Sequence, residues 1–210
     1  RGLVGSEMCI RDRTDDSIPG VPAQSYYAVK TYEDGDKVNI TAAAEGMKAV
    51  SSATVVPSRF PLTSINFVLK GGEPNQLQFW MHFTDNAQTK DYYALKVERK
   101  RQFWNDSEYS VENSSLTLNL DDEPLLNTSS GLDDILMIEN EFYRNLYYWD
   151  DTKIQGKSYK VRLNTNYEAD YEDDFITPDG VEHIKCQVKY RISLYSLSEE
   201  FYRYLKSLND

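Results

Sequence analysis

The chain has 210 residues, 40% of them hydrophobic and 13% aromatic with 16 tyrosines, which supplies enough apolar surface for a core and excludes an intrinsically disordered chain. Its formal net charge of −11 disfavours a nucleic-acid partner, because phosphate binding needs basic surface to release counterions. No stretch reaches the roughly eighteen uninterrupted apolar residues that a membrane-crossing helix requires.

The first 13 residues obey no packing logic. Val4 to Asp12 back-translate to a transposon-type sequencing adaptor read in one frame, and Arg13 fits the junction. Residues 1–13 are therefore read as an artefact of sequence assembly, with the natural chain entering at Thr14 past its true start. A signal peptide is not to be looked for here. Without Arg1, Arg11, Arg13, Glu7 and Asp12 the balance is 20 basic against 32 acidic residues, a net of −12. Cys9 also drops out, leaving Cys186 alone, so the natural part has no internal disulfide framework and no cysteine-based metal site.

Residues 14–60 read as the C-terminal part of an Ig-like β domain. The turn Asp34-Gly35 leads into Lys37–Thr41, and Glu45-Gly46 separates it from Lys48–Val56, which together give a last strand pair. Pro57 and Pro61 mark a boundary near residues 57–63.

Residues 61–210 read as a second antiparallel β-sandwich, truncated at its C-terminus. Apolar residues alternate at Ile65, Phe67 and Leu69; at Leu77, Phe79, Met81 and Phe83; and at Tyr93, Leu95 and Val97. Further on they alternate at Leu116, Leu118 and Leu120, and at Tyr159, Val161 and Leu163. The longest run is Ile184 to Leu194, where Ile184, Cys186, Val188, Tyr190, Ile192 and Leu194 take one side of a half-buried strand. Gly71-Gly72 with Pro74, Gln155-Gly156 and Pro178-Asp179-Gly180 supply turns between the runs. The fold class is all-β, stacked antiparallel sheets with one or two short helices.

One helix is expected near residues 198–208, opened by a capping box from Ser196 to Glu199, with Leu197, Phe201, Leu205 and Leu208 on one face. Asp133 to Tyr143 reads either as a second helix or as an extended connection. No internal repeat is visible.

The sequence holds no nucleophile elbow, zinc helix, phosphate loop or dinucleotide fingerprint. His82 and His183 read as surface residues, and no catalytic residue is assigned. Trp80, Trp104 and Trp149, with Tyr147 and Tyr148, are the candidates for ligand contact, since their faces stack on flat or ring-shaped ligands while their polar tips hydrogen-bond. Trp80 stands out because it lies on the opposite strand parity from Leu77, Phe79 and Met81. The competing reading is that all of these aromatics are core.

Glu168, Asp170, Glu172, Asp173 and Asp174 crowd an expected loop. Asp170, Glu172, Asp173 and Asp174 are the candidate metal ligands, suited to a hard cation such as Ca²⁺. The spacing of a calcium loop is absent, so a solvated acidic loop and no cofactor is the competing reading.

Three segments carry a family resemblance: Gly35–Pro57 (GDKVNITAAAEGMKAVSSATVVP), Thr152–Leu163 (TKIQGKSYKVRL) and the terminal RISLYSLSEEFYRYLKSLND. Together they resemble the domain of unknown function 4249 family of Bacteroidota, over nearly all of residues 20–210. The resemblance implies an outer-membrane or cell-surface lipoprotein held by a lipid anchor, and a TonB-dependent receptor as partner. It implies no substrate and no site residue. The function expected is a non-catalytic envelope lipoprotein accessory to nutrient uptake. A carbohydrate-binding or adhesive surface module is the alternative, and a hydrolase using the acidic residues ranks last.

Overall fold

The computed structural model describes residues 31–43, 45–70, 76–105, 108–126, 145–178 and 180–208. The adaptor reading, the Gly71-Gly72 and Pro74 turn and the Asp133–Tyr143 element lie outside the described residues. About 58% of what is described is strand and about 8% helix, so the chain is an all-β antiparallel sandwich.

In chain order the strands are β1 (Lys37–Ala42), β2 (Val50–Val55), β3 (Leu62–Leu69), β4 (Gln76–Thr84), β5 (Tyr92–Trp104) and β6 (Tyr109–Ser115). They continue with β7 (Tyr147–Asp150), β8 (Ser158–Asn166), β9 (Tyr171–Thr177) and β10 (Gly180–Leu197), and helix α1 (Glu199–Ser207) follows. β1 and β2 form a two-stranded hairpin from Lys37↔Val55 to Ala42↔Val50. β4 runs between β3 and β8 in a three-stranded sheet. In the five-stranded sheet β5 pairs with β10, which carries β9 on its far side, while β6 and β7 share the other side of β5.

The two larger sheets face each other across one core. Period-two alternation puts Leu77, Phe79, Met81 and Phe83 of β4 and Val161 and Leu163 of β8 on the inner face of one layer. Tyr93, Leu95 and Val97 of β5 and Trp149 of β7 come from the other layer. Phe60, in the connection between β2 and β3, packs its ring 5.1 Å from Tyr93 and 5.2 Å from Phe83. Among the described residues the opposite side of β5 is covered too, but only at one end, where Ala94, Tyr148, Leu197 and Leu205 bring α1 against the sheet.

Two sequence expectations are corrected here. Leu116–Leu120 is not a strand: Leu116 N–H donates to Val97 of one sheet and Asn119 N–H to Asn164 of the other, so the segment crosses between layers. The helix is capped by Ser198, whose hydroxyl accepts from Phe201 N–H at 3.3 Å. Ser196 stays in β10, paired with Tyr93, because the strand's alternation runs on to Leu197.

Candidate ligand-binding groove

The outer face of the five-stranded sheet is the side α1 touches, and α1 covers only the Ala94 end of it. At the far end the register lines up one residue from each of four strands: Tyr109 of β6, Trp104 of β5, Lys185 of β10 and Glu172 of β9. The next pair along is His183 and Asp174. An open groove of about 600 Å³ is lined by Trp104, Lys185, Glu172, His183 and Asp174, with Asn105, Asp173 and Ile184 also in its lining, and Tyr109 adjoins it through the Trp104 ring.

Each member is held by a neighbour. The rings of Trp104 and Tyr109 lie 5.4 Å apart at 40°, and Gln102 donates to the Tyr109 hydroxyl at 2.6 Å. Lys185 pairs with Glu172, and that hydrogen bond, followed by the carboxylate's charge, raises the lysine pKa. His183 Nδ1 lies 2.5 Å from Asp174 Oδ1. Cross-strand pairing of opposite charges is what allows so acidic a segment as β9 to be a strand.

That is a correction to the expected acidic loop, since Glu172, Asp173 and Asp174 sit on β9. Strand alternation turns Asp173 away from Glu172 and Asp174. Asp170 instead accepts from the backbone N–H of Val188 at 2.7 Å, and Glu168 is held by Arg99 and Arg101. The hydrogen bond from Arg101 holds the Glu168 carboxyl below the usual carboxylate range, against the opposing effect of burial, with the charge of Arg99 adding to it. The candidate metal ligands are thus distributed over two faces and a connection.

The three tryptophans part company. Trp104 lies in the groove. Trp80 is half-buried on the outer face of the three-stranded sheet, its Nε1 donating to Gln78 at 2.6 Å and its ring covered by the Lys160 ammonium at 4.3 Å. Trp149, expected as an exposed face, is 4% exposed and packs 5.7 Å from Tyr93. β7 pairs with β5 in a register that points Trp149 inward beside Tyr93, and Tyr147 and Tyr148 are equally buried.

Sequence reasoning missed one polar cluster. Asp85, Asp91 and Asp151 bring carboxylate oxygens within 4.8 Å of one another. Asp85 accepts from the Tyr93 hydroxyl at 2.7 Å and from Gly156 N–H at 2.8 Å. Asp151 accepts from Asp91 N–H at 2.7 Å and from the Lys90 ammonium, and Asp91 accepts from Thr89 at 2.7 Å. The donors account for the cluster as a clasp between the β4–β5 and β7–β8 connections. Gly156 closes it with φ 68°, where an added Cβ would lie 2.7 Å from that of Ala87. No local spacing announces residues so far apart in sequence.

Among solved structures the chain is similar to the collagen binding domain of the Erysipelothrix rhusiopathiae surface protein RspB, with 7% identity and a TM-score of 0.26 over 83% of this chain. It spans 63% of that structure's chain. No curated protein matches it. The family model for the domain of unknown function (DUF4249) matches residues 6–210, and the chain therefore belongs to that family.

Proposed function

We propose that this chain is a non-catalytic binding module of a cell-envelope lipoprotein, held at the outer membrane or cell surface by a lipid anchor and accessory to a TonB-dependent nutrient receptor. It acts without a cofactor. The observation that carries the binding part is the end of the outer sheet face that no described residue covers, where Trp104 and Tyr109 lie beside the Lys185–Glu172 ion pair and the His183–Asp174 hydrogen bond. Exposed aromatic rings next to polar groups are the usual furniture of a contact surface. The envelope location and the receptor follow from the family resemblance.

The two-domain reading belongs to the same proposal. Among the described residues β1 and β2 pair only with each other and leave Ile40, Val50 and Val55 exposed, as the last strands of an Ig-like domain would. The unpatterned connection from Val56 to Pro61, whose Phe60 already packs in the sandwich core, is where such a domain would give way to the sandwich.

The test is co-purification of the full-length lipidated protein from its own membranes, with the receptor identified by mass spectrometry. Recovery with a TonB-dependent receptor in stable proportion is the expected result. Recovery free of any receptor sinks the accessory role. Release of new reducing ends from an oligosaccharide incubated with the purified protein would overturn the non-catalytic part.

A further inference from the structure

The binding-module reading leaves the ligand unspecified, and the groove's chemistry narrows it. We propose that the groove beside Trp104 takes a neutral, hydroxyl-rich sugar ring, with Trp104 as the stacking face, extended at its rim by the adjoining Tyr109 ring, and the Lys185–Glu172 and His183–Asp174 pairs as the hydrogen-bonding wall. This assignment rests on that reading and deepens it.

Size comes first. A groove of about 600 Å³ falls within the range of small-molecule sites and is wide enough for one or two rings. It is open along one side, so a chain of linked rings can run past it. Tyr109 is 54% exposed, and with the half-buried Trp104 it offers an aromatic face that needs no reshaping to receive a ring.

Charge decides the ligand class. On the outer face a cationic ligand has to displace Lys185 from Glu172 or His183 from its hydrogen bond to Asp174 before it meets either carboxylate, and gains little by the exchange, while Asp173 is turned to the other face. An anionic ligand meets the Glu172 and Asp174 carboxylates along the same wall, so like-charge repulsion opposes it. A neutral hydroxyl avoids both costs. Each carboxylate keeps spare lone pairs after pairing with its cation, and the Lys185 ammonium has N–H groups beyond the one given to Glu172. A sugar hydroxyl both donates and accepts, which matches this alternation of acceptors and donors along the outer face.

The experiment is calorimetric and tryptophan-fluorescence titration of the protein with maltohexaose, cellohexaose and xylohexaose as neutral probes. Tetralysine and a hexameric oligogalacturonate serve as the charged ones. At least one neutral hexasaccharide is expected to bind. Trp104→Ala should weaken that binding by about tenfold or more, Trp104→Phe should keep it within about threefold, and Trp80→Ala should leave it unchanged. Thermal melts establish that each variant folds. Should Trp104→Ala not fold, Tyr109→Ala reads the same face from an exposed position, with an expected loss of about threefold or more. Failure of all three neutral probes, binding that survives loss of both aromatics, or binding of a charged probe alone overturns the assignment. Co-purification with a receptor in any of those cases leaves the envelope reading standing while this one falls.

Discussion

Asp85 shows how much of this fold rests on single polar groups. It is 4% exposed, and its two oxygens satisfy the Tyr93 hydroxyl and the Gly156 N–H. Asp85→Ala strands the buried Tyr93 hydroxyl and the part-buried Gly156 N–H, so we expect a loss of about 2 kcal/mol, seen as a lowered urea midpoint at unchanged slope. Asp85→Asn, which keeps an acceptor, should cost less. Glu168 gives a pH prediction. Its carboxyl is held below its ordinary range in the fold by Arg101, with Arg99 assisting against burial. A group depressed in this way stabilises the fold above its unfolded pKa and ceases to do so as pH falls through the folded value. Denaturation measured across the acid range should therefore show stability declining below about pH 4, and Glu168→Gln should flatten part of that decline. Residue-level legibility was uneven for a physical reason. Parity within β4 was enough to separate Trp80 from Phe79 and Met81, but Trp149 points inward only because β7 pairs with β5, a partner far away in sequence.

At the scale of elements, the capping of α1 discriminates two serines. Ser198→Ala should lower stability by about 1 kcal/mol, because the Phe201 N–H loses its acceptor. Ser196→Ala should change it by less than about 0.5 kcal/mol, and a pair of thermal melts separates the two. Ser196 with Glu199 satisfies the spacing of a capping box, and only the length of β10 shows which serine is free to cap. Strands β4, β5, β8 and β10 were legible because each carries inward apolar residues at every second position, and β3 by the same alternation although Ile65, Phe67 and Leu69 remain exposed. β6 and β9 were not. Tyr109–Ser115 is dominated by polar residues along its length, and Tyr171–Thr177 is a strand whose carboxylates make sense only beside Lys185 and His183. The Leu116–Leu120 alternation misled in the other direction, since leucines crossing between layers are buried at the same spacing as leucines in a strand.

For the whole molecule, the two facing layers were readable from alternation alone, whereas the groove was not, because it exists only where four strands bring Tyr109, Trp104, Lys185 and Glu172 into one row. β10 ties these parts together and is held unequally along its 18 residues. From Ile192 to Leu197 it lies against β5, with the core on one side and α1 near its end, while among the described strands Gly180 to Ile184 pair with β9 alone. Amide hydrogen exchange should accordingly be slower by orders of magnitude at Ile192 and Leu194 than at Val181 and His183. The strand is then a lever with a clamped root and a yielding tip, and His183 sits on the part that yields. Whatever settles beside Trp104 has to still that tip, so occupancy should be legible as slowed exchange from Val181 to Lys185 while the clamped root keeps its rate.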